Sequence, residues 1–93
     1  MFKIVVLFKC EDRTDAPVMA KLLKDLEMVI EEINTFEVNL DALGTETSYD
    51  YSLEGTFNTY EDYQSYIINP IHKEYVEKMK ELGVKAVKVC FNK

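Results

Sequence analysis

From Phe2 to Cys10 the chain is apolar at nearly every position. Phe2, Ile4, Val6, Phe8 and Cys10 share one parity, and Val5 and Leu7 lie between Lys3 and Lys9 on the other. A strand with one face in water alternates apolar and polar residues, so this run predicts a strand covered on both sides. The period then changes. Met19, Leu22, Leu23, Leu26, Val29, Ile30 and Ile33 step by three or four, with Lys21, Lys24, Asp25, Glu27, Glu31 and Glu32 opposite. This is the stripe of an amphipathic helix, capped by Thr14 or Asp15 and with Pro17 in its first turn. Alternation returns in a second strand from about Phe36 to Asp41. After the polar turn 44–48 comes a third, with Tyr49, Tyr51, Leu53 and Phe57 on one face and Asp50, Ser52, Glu54 and Thr56 on the other.

Asn58 or Thr59 caps the next helix, whose first turn holds Glu61 and Asp62, favourable to the helix dipole. Pro70 interrupts it, and Asn69-Pro70 also reads as a fresh cap and first position, so a further helix restarts there. Its stripe is Ile71, Tyr75, Val76, Met79 and Leu82, with Gly83 as its stop. A last strand runs from about Val84 to Phe91.

The order βαββαβ predicts one α+β domain over residues 1–93. It is ferredoxin-like, with a four-stranded antiparallel sheet and both helical layers on one face. The helix-facing set should be Phe2, Ile4, Val6, Phe8, Phe36, Val38, Leu40, Tyr49, Tyr51, Leu53 and Phe57. The opposite face still carries Val5, Leu7, Val87, Val89 and Phe91. These five are contiguous if the first and last strands are neighbours, and such a patch is expected to be covered by a second copy of the chain. Strands two and three turn Glu37, Asn39, Ser52 and Glu54 the same way, so one half of this homodimer interface should be wetter.

A net charge of −6 argues against nucleic acid or an anionic membrane surface as partner. No apolar run reaches the roughly 20 residues of a membrane span, and the apolar start is too short for a signal peptide. Cys10 and Cys90 fall in strands away from any disulfide framework or metal-binding spacing, so reduced thiols in a cytoplasmic protein are expected. Neither a metal nor an organic cofactor is expected.

Chemistry has few candidates. His72, the only histidine, stands in the first turn of the restarted helix, where the dipole disfavours its second proton. A neutral imidazole there serves either as a general base and carbonyl partner, or simply as a first-turn residue touching water and backbone. Five of the six tyrosines fall within residues 49–66. They either line a pocket with their hydroxyls or fill the core with hydroxyls reaching the rim. The cysteines have no foreseeable cationic partner and read as core thiols.

Three stretches together resemble the stress-responsive A/B barrel domain family, often called Dabb. These are Lys3-Ile4-Val5-Val6-Leu7-Phe8-Lys9; Tyr49-Asp50-Tyr51-Ser52-Leu53 leading to Thr56-Phe57; and Tyr66-Ile67-Ile68-Asn69-Pro70-Ile71-His72. The last is similar to the family's aromatic–x–x–His/Asn-Pro–x–His segment. The resemblance implies monomers paired sheet to sheet as a dimeric α+β barrel.

The family includes a plant polyketide cyclase that closes rings without a cofactor. By that likeness His72 is the base and Tyr66 the hydroxyl donor, while the cyclase's first-strand histidine and first-helix tyrosine fall at Ile4 and Leu26. An isoleucine neither polarises a carbonyl nor moves a proton. What carries over is a pocket between sheet and helices, lined by Ile4, Val6, Phe8, Leu22, Leu26, Leu53, Tyr66 and His72 and suited to a small apolar or aromatic ligand. Three functions follow as alternatives: ligand binding in that pocket, cofactor-free cyclase-like catalysis by His72 and Tyr66, or a stress-protective dimer with the pocket packed shut. A regulatory module binding an amino acid is a further option.

Overall fold

The computed structural model describes all of Met1–Lys93. Its first strand, β1 (Phe2–Lys9), is followed by a single 3-10 turn (Arg13–Asp15) and helix α1 (Ala16–Val29). Strands β2 (Thr35–Leu40) and β3 (Tyr51–Phe57) come next, then helices α2 (Tyr60–Ile68) and α3 (Pro70–Leu82) and strand β4 (Lys85–Asn92). The sheet has the order β2-β3-β1-β4 with every pair antiparallel, which is the ferredoxin-like α+β arrangement. No helix is long and apolar enough to cross a membrane.

β1 is hydrogen-bonded on both edges. Its even side chains Phe2, Ile4, Val6 and Phe8 are buried under the helices, together with Phe36, Tyr51, Leu53 and Phe57 from the neighbouring strands. Its odd side chains Val5 and Leu7 stand directly opposite Val89 and Val87 of β4, so the five-residue patch on the outer face is contiguous. Leu7, Val87, Val89 and Phe91 are between 39% and 56% exposed. Beside them an ion pair between Lys3 and Glu54, at 3.4 Å, marks the start of the polar half.

The helix signals act as the sequence predicts at the second break. Thr59 Oγ1 accepts from Asp62 N at 3.0 Å, Asn69 Oδ1 accepts from Ile71 N at 2.8 Å, and Gly83 takes the left-handed conformation with φ 69°. Around α1 the structure departs from the expectation. Asp12, not Thr14 or Asp15, makes the capping bond, accepting from Thr14 N at 2.9 Å into the 3-10 turn. The helix ends at Val29, because Ile30 is extended, so Ile30 and Ile33 are buried from the loop.

Its buried stripe is Ala16, Met19, Ala20, Leu23 and Leu26. Two alanines let the helix settle close to the sheet, and this rotates Leu22 and Val29 outward, to 40% and 59% exposure. Leu40 and Tyr49 are also largely exposed rather than helix-facing: Leu40 is the last residue of the edge strand β2, and Tyr49 precedes β3.

Asp50, expected on the wet face of the third strand, is instead buried. Its Oδ2 accepts from Cys10 N at 2.7 Å, its Oδ1 accepts from Arg13 Nη1 at 2.9 Å, and its own N–H donates to the Phe8 carbonyl at 2.8 Å. Lys9 Nζ stands 3.8 Å from the same carboxylate. The buried charge is thus fully partnered, and it ties the end of β1 to the entry of β3.

Gly55 makes a different close contact. A β-carbon there would lie 2.9 Å from Phe36 Cε1 and 3.1 Å from Ile4 Cγ1, so the missing side chain is what lets the Phe36 ring lie across the sheet. Gly55→Ala is expected to destabilise the fold by about 1–3 kcal/mol through overpacking. Chemical denaturation would measure it, and an unchanged midpoint would mean that the Phe36 ring yields freely.

Candidate functional site

The break between α2 and α3 builds the site. In a continuous helix the Ile67 carbonyl would accept from the N–H of residue 71. Here that N–H is turned to Asn69 Oδ1, and the Ile67 carbonyl meets His72 Nδ1 at 3.2 Å instead. A carbonyl only accepts, so Nδ1 carries the proton and the neutral ring keeps Nε2 as an acceptor. Burial holds the His72 pKa below its ordinary value, and the nearby positive charge of Lys88 acts in the same direction, against the opposing bond to Ile67. The imidazole is therefore neutral near pH 7, with burial as the main cause.

Tyr66, six residues earlier, lies beside His72 with ring centroids 4.3 Å apart. Its ring is buried against Phe57 and Phe36 at 5.1 and 5.6 Å. Desolvation raises its pKa well above the ordinary phenol value, so it stays protonated and can donate.

Both groups line a cavity of about 190 Å³ between the sheet and the α2–α3 corner. Its floor is Ile4, Val6 and Phe8 of β1 with Leu53 of β3, and its roof includes Leu23, Ile67, Val76 and Met79. Ala86 and Lys88 of β4, both exposed, form the open edge.

The polar groups around this space differ in how far they are committed. Tyr75 hydroxyl donates to the Met19 carbonyl at 2.9 Å, so at 2.8 Å it must accept from the Tyr51 hydroxyl. Both protons are used within the protein, and burial pushes Tyr51 up to about 12 and Tyr75 higher still. Tyr63 hydroxyl accepts from Lys88 Nζ at 3.1 Å. The Tyr66 hydroxyl takes part in none of these bonds. The cavity is thus apolar with an acceptor at His72, a donor at Tyr66, and a cation with a phenol at its edge.

Of the residues expected to line the pocket, Ile4, Val6, Phe8, Leu53, Tyr66 and His72 come together here, and Leu22 and Leu26 do not. Those two face a separate outer groove between α1 and α3, beside Val29, Ile71 and Tyr75. Leu22 is turned outward by the seating of α1 on Ala16 and Ala20, while Leu26 is buried in the core but does not reach the cavity, to which α1 contributes Leu23. Tyr63 belongs to the tyrosine cluster that the sequence offered as pocket lining, whereas Lys88 and Tyr75 lie outside the expected set. Lys88 was legible by parity, because Val87, Val89 and Phe91 facing out require Ala86, Lys88 and Cys90 to face in.

The cysteines are both free. Cys10 is buried, and burial together with the neighbouring Asp50 charge raises its thiol pKa, which leaves it a poor nucleophile.

No curated protein sequence matches the chain. Among solved structures, a protein of Arabidopsis thaliana superposes with a TM-score of 0.82 at 21% identity, over 100% of this chain and 95% of its own. A dimeric ferredoxin-like protein of unknown function from Thermobifida fusca gives 0.80 at 18% identity, over 99% and 90%. The hydroxynitrile lyase from Passiflora edulis gives 0.75 at 13%, over 99% and 94%. At these identities the likeness establishes a shared fold. The sequence profile of the stress-responsive A/B barrel domain family matches residues 2–91, essentially the whole domain, and the chain belongs to that family.

Proposed function

We propose that this protein is a homodimer that binds a small single-ring apolar or aromatic molecule in the cavity beside His72 and Tyr66. The observation that carries this reading is an apolar cavity lined by two polar groups of opposite character, the free acceptor Nε2 of His72 and the donor hydroxyl of Tyr66. A volume of about 190 Å³ is close to the ~150 Å³ cavity that holds benzene and below the ~300 Å³ at which drug-sized pockets begin. A carbonyl on the ligand would accept from Tyr66, and a hydroxyl or acidic C–H would lie against His72.

Cofactor-free acid–base catalysis is the second reading, favoured by the neutral imidazole with a free Nε2 in a desolvated site. His72 would take a proton from the ligand while Tyr66 stabilises the oxygen that gains charge. With Ile4 in the wall, the site lacks a second base, so proton transfers would have to run through His72 alone. Two free thiols support a reducing, cytoplasmic setting.

The dimer half of the proposal rests on the outer patch of Val5, Leu7, Val87, Val89 and Phe91, and on a Thermobifida relative of the same fold that is dimeric. Light scattering should give twice the chain mass for the wild type and the chain mass for Leu7→Lys/Val89→Lys, which sets four ammonium groups in the shared face. A monomeric wild type, or a doubly substituted chain that stays dimeric, would remove this interface.

The single histidine makes its titration directly readable by NMR. Its midpoint should lie below 6.5, the unperturbed value. The unfolded chain then binds the proton more readily than the folded one. Stability contributed at His72 is present above about pH 6.5 and is lost as pH falls through the folded pKa. A midpoint at or above 6.5 would mean that the ring is not desolvated.

Ligand binding itself is tested by a thermal-shift screen of single-ring aromatic compounds bearing carbonyl or hydroxyl groups. A rise in melting temperature that is lost in His72→Ala supports the pocket. No shift with any compound favours a dimer whose pocket is closed. If a reaction is found, His72→Ala should slow it by roughly 10²–10⁴-fold.

A further inference from the structure

Lys88 is the one cation on the cavity lining, and its setting is unlike that of the other charged side chains. It sits opposite Val6 on the helix-facing side of the sheet, where its strand neighbours on β1 are buried and apolar. In a chain with a net charge of −6, Lys73, Lys78, Lys85, Lys88 and Lys93 form no ion pair, and of these only Lys88 faces the cavity. Its ammonium points instead at Tyr63, donating to the hydroxyl at 3.1 Å and standing 5.8 Å from the ring centroid. An ammonium has three protons, and this bond uses one. Tyr63 oxygen accepts from Lys88 and lies in a long contact, 3.9 Å, with the Cys90 thiol as donor, so the Tyr63 proton is left to donate elsewhere. Two donors, one of them charged, are thereby brought side by side at the edge of an apolar cavity. The Lys88 charge also lowers the basicity of His72, so both act on the same space.

We propose that the molecule bound in this cavity is a small aromatic carboxylate, its ring over Ile4 and Val6 and its carboxylate held by the Lys88 ammonium and the Tyr63 hydroxyl. This rests on the reading of the cavity as a ligand site and adds the charge and orientation of the ligand. A carboxylate matches two adjacent donors, and a charge-assisted bond at the edge of an apolar space is about twice as strong as a neutral one. Lys88 thereby gains the anionic partner that the protein itself does not supply. The opposite end of the ring then faces His72 and Tyr66, where a hydroxyl substituent would find an acceptor.

Calorimetric titration of the full chain at pH 7.5 with benzoate and with benzamide, a neutral near-isostere, tests this directly. Benzoate should bind the wild type about tenfold tighter than benzamide. Lys88→Met should cost benzoate about tenfold while changing benzamide less than about twofold, and Lys88→Arg should retain part of the preference. Benzoate should also raise the His72 NMR midpoint in the wild type, and benzamide should leave it unchanged. Lys88 lies on an exposed edge, and a melting curve for Lys88→Met verifies that the fold is intact. Equal binding of the two compounds, or a Lys88→Met variant with their ratio unchanged, overturns the carboxylate assignment and leaves the pocket standing. Binding of neither compound at millimolar concentration overturns the assignment together with the single-ring reading of the cavity.

Discussion

Strand β1 carries the constraint on which the rest of the molecule depends. It is hydrogen-bonded to β3 on one edge and β4 on the other, and it is the strand through which the two halves of the βαββαβ order meet. Its alternate side chains serve different surfaces. Ile4, Val6 and Phe8 are at once core and cavity floor, while Val5 and Leu7 belong to the apolar stripe on the far side. A slip of one residue would exchange the two sets, so register here is a functional matter as well as a structural one. Two features secure it. The Asp50 carboxylate ties Cys10 and Arg13 to the entry of β3, and Gly55 opens the space into which Phe36 lies against Ile4.

The site arises from an interruption rather than from a regular element. Asn69 and Pro70 stop one helix and start another, and the Asn69 side chain takes the N–H that would have satisfied Ile67. The carbonyl so released orients His72 through Nδ1, which leaves Nε2 free to accept. Around it the tyrosines divide by role. Tyr51 and Tyr75 spend their protons on each other and on the Met19 carbonyl and act as structural cross-links. Tyr63 and Tyr66 line the cavity, one in a bond with Lys88 and the other free. A dense tyrosine cluster is thus both core and site, and hydrogen-bond partners distinguish the two uses.

Strand and helix identities, their order and the second helix break were legible because they follow from period and caps, which are local. The patch on β1 and β4 was legible for a similar reason, since parity within each strand combined with the fold's strand order gives its members. The rotation of α1 was not. Leu22 and Leu23 are equally apolar, and which of them faces the sheet depends on Ala16 and Ala20 allowing close approach. Asp50 likewise carries an outward parity in the sequence. Its burial depends on Cys10, Arg13 and Lys9 arriving from some 40 residues away.

The sequence by itself therefore determined the topology and the two apolar faces of the first strand, because each rests on side-chain period, while the pairing of Tyr66 with His72 was legible only through the family resemblance of their segment. The tertiary structure decided how far the second face of the sheet is covered within one chain, which leucine roofs the cavity, and that Lys88, inward by parity, meets Tyr63 at the cavity edge. Those outcomes depend on how layers pack. Packing is set by the sizes of residues distant in sequence, and no local pattern encodes it.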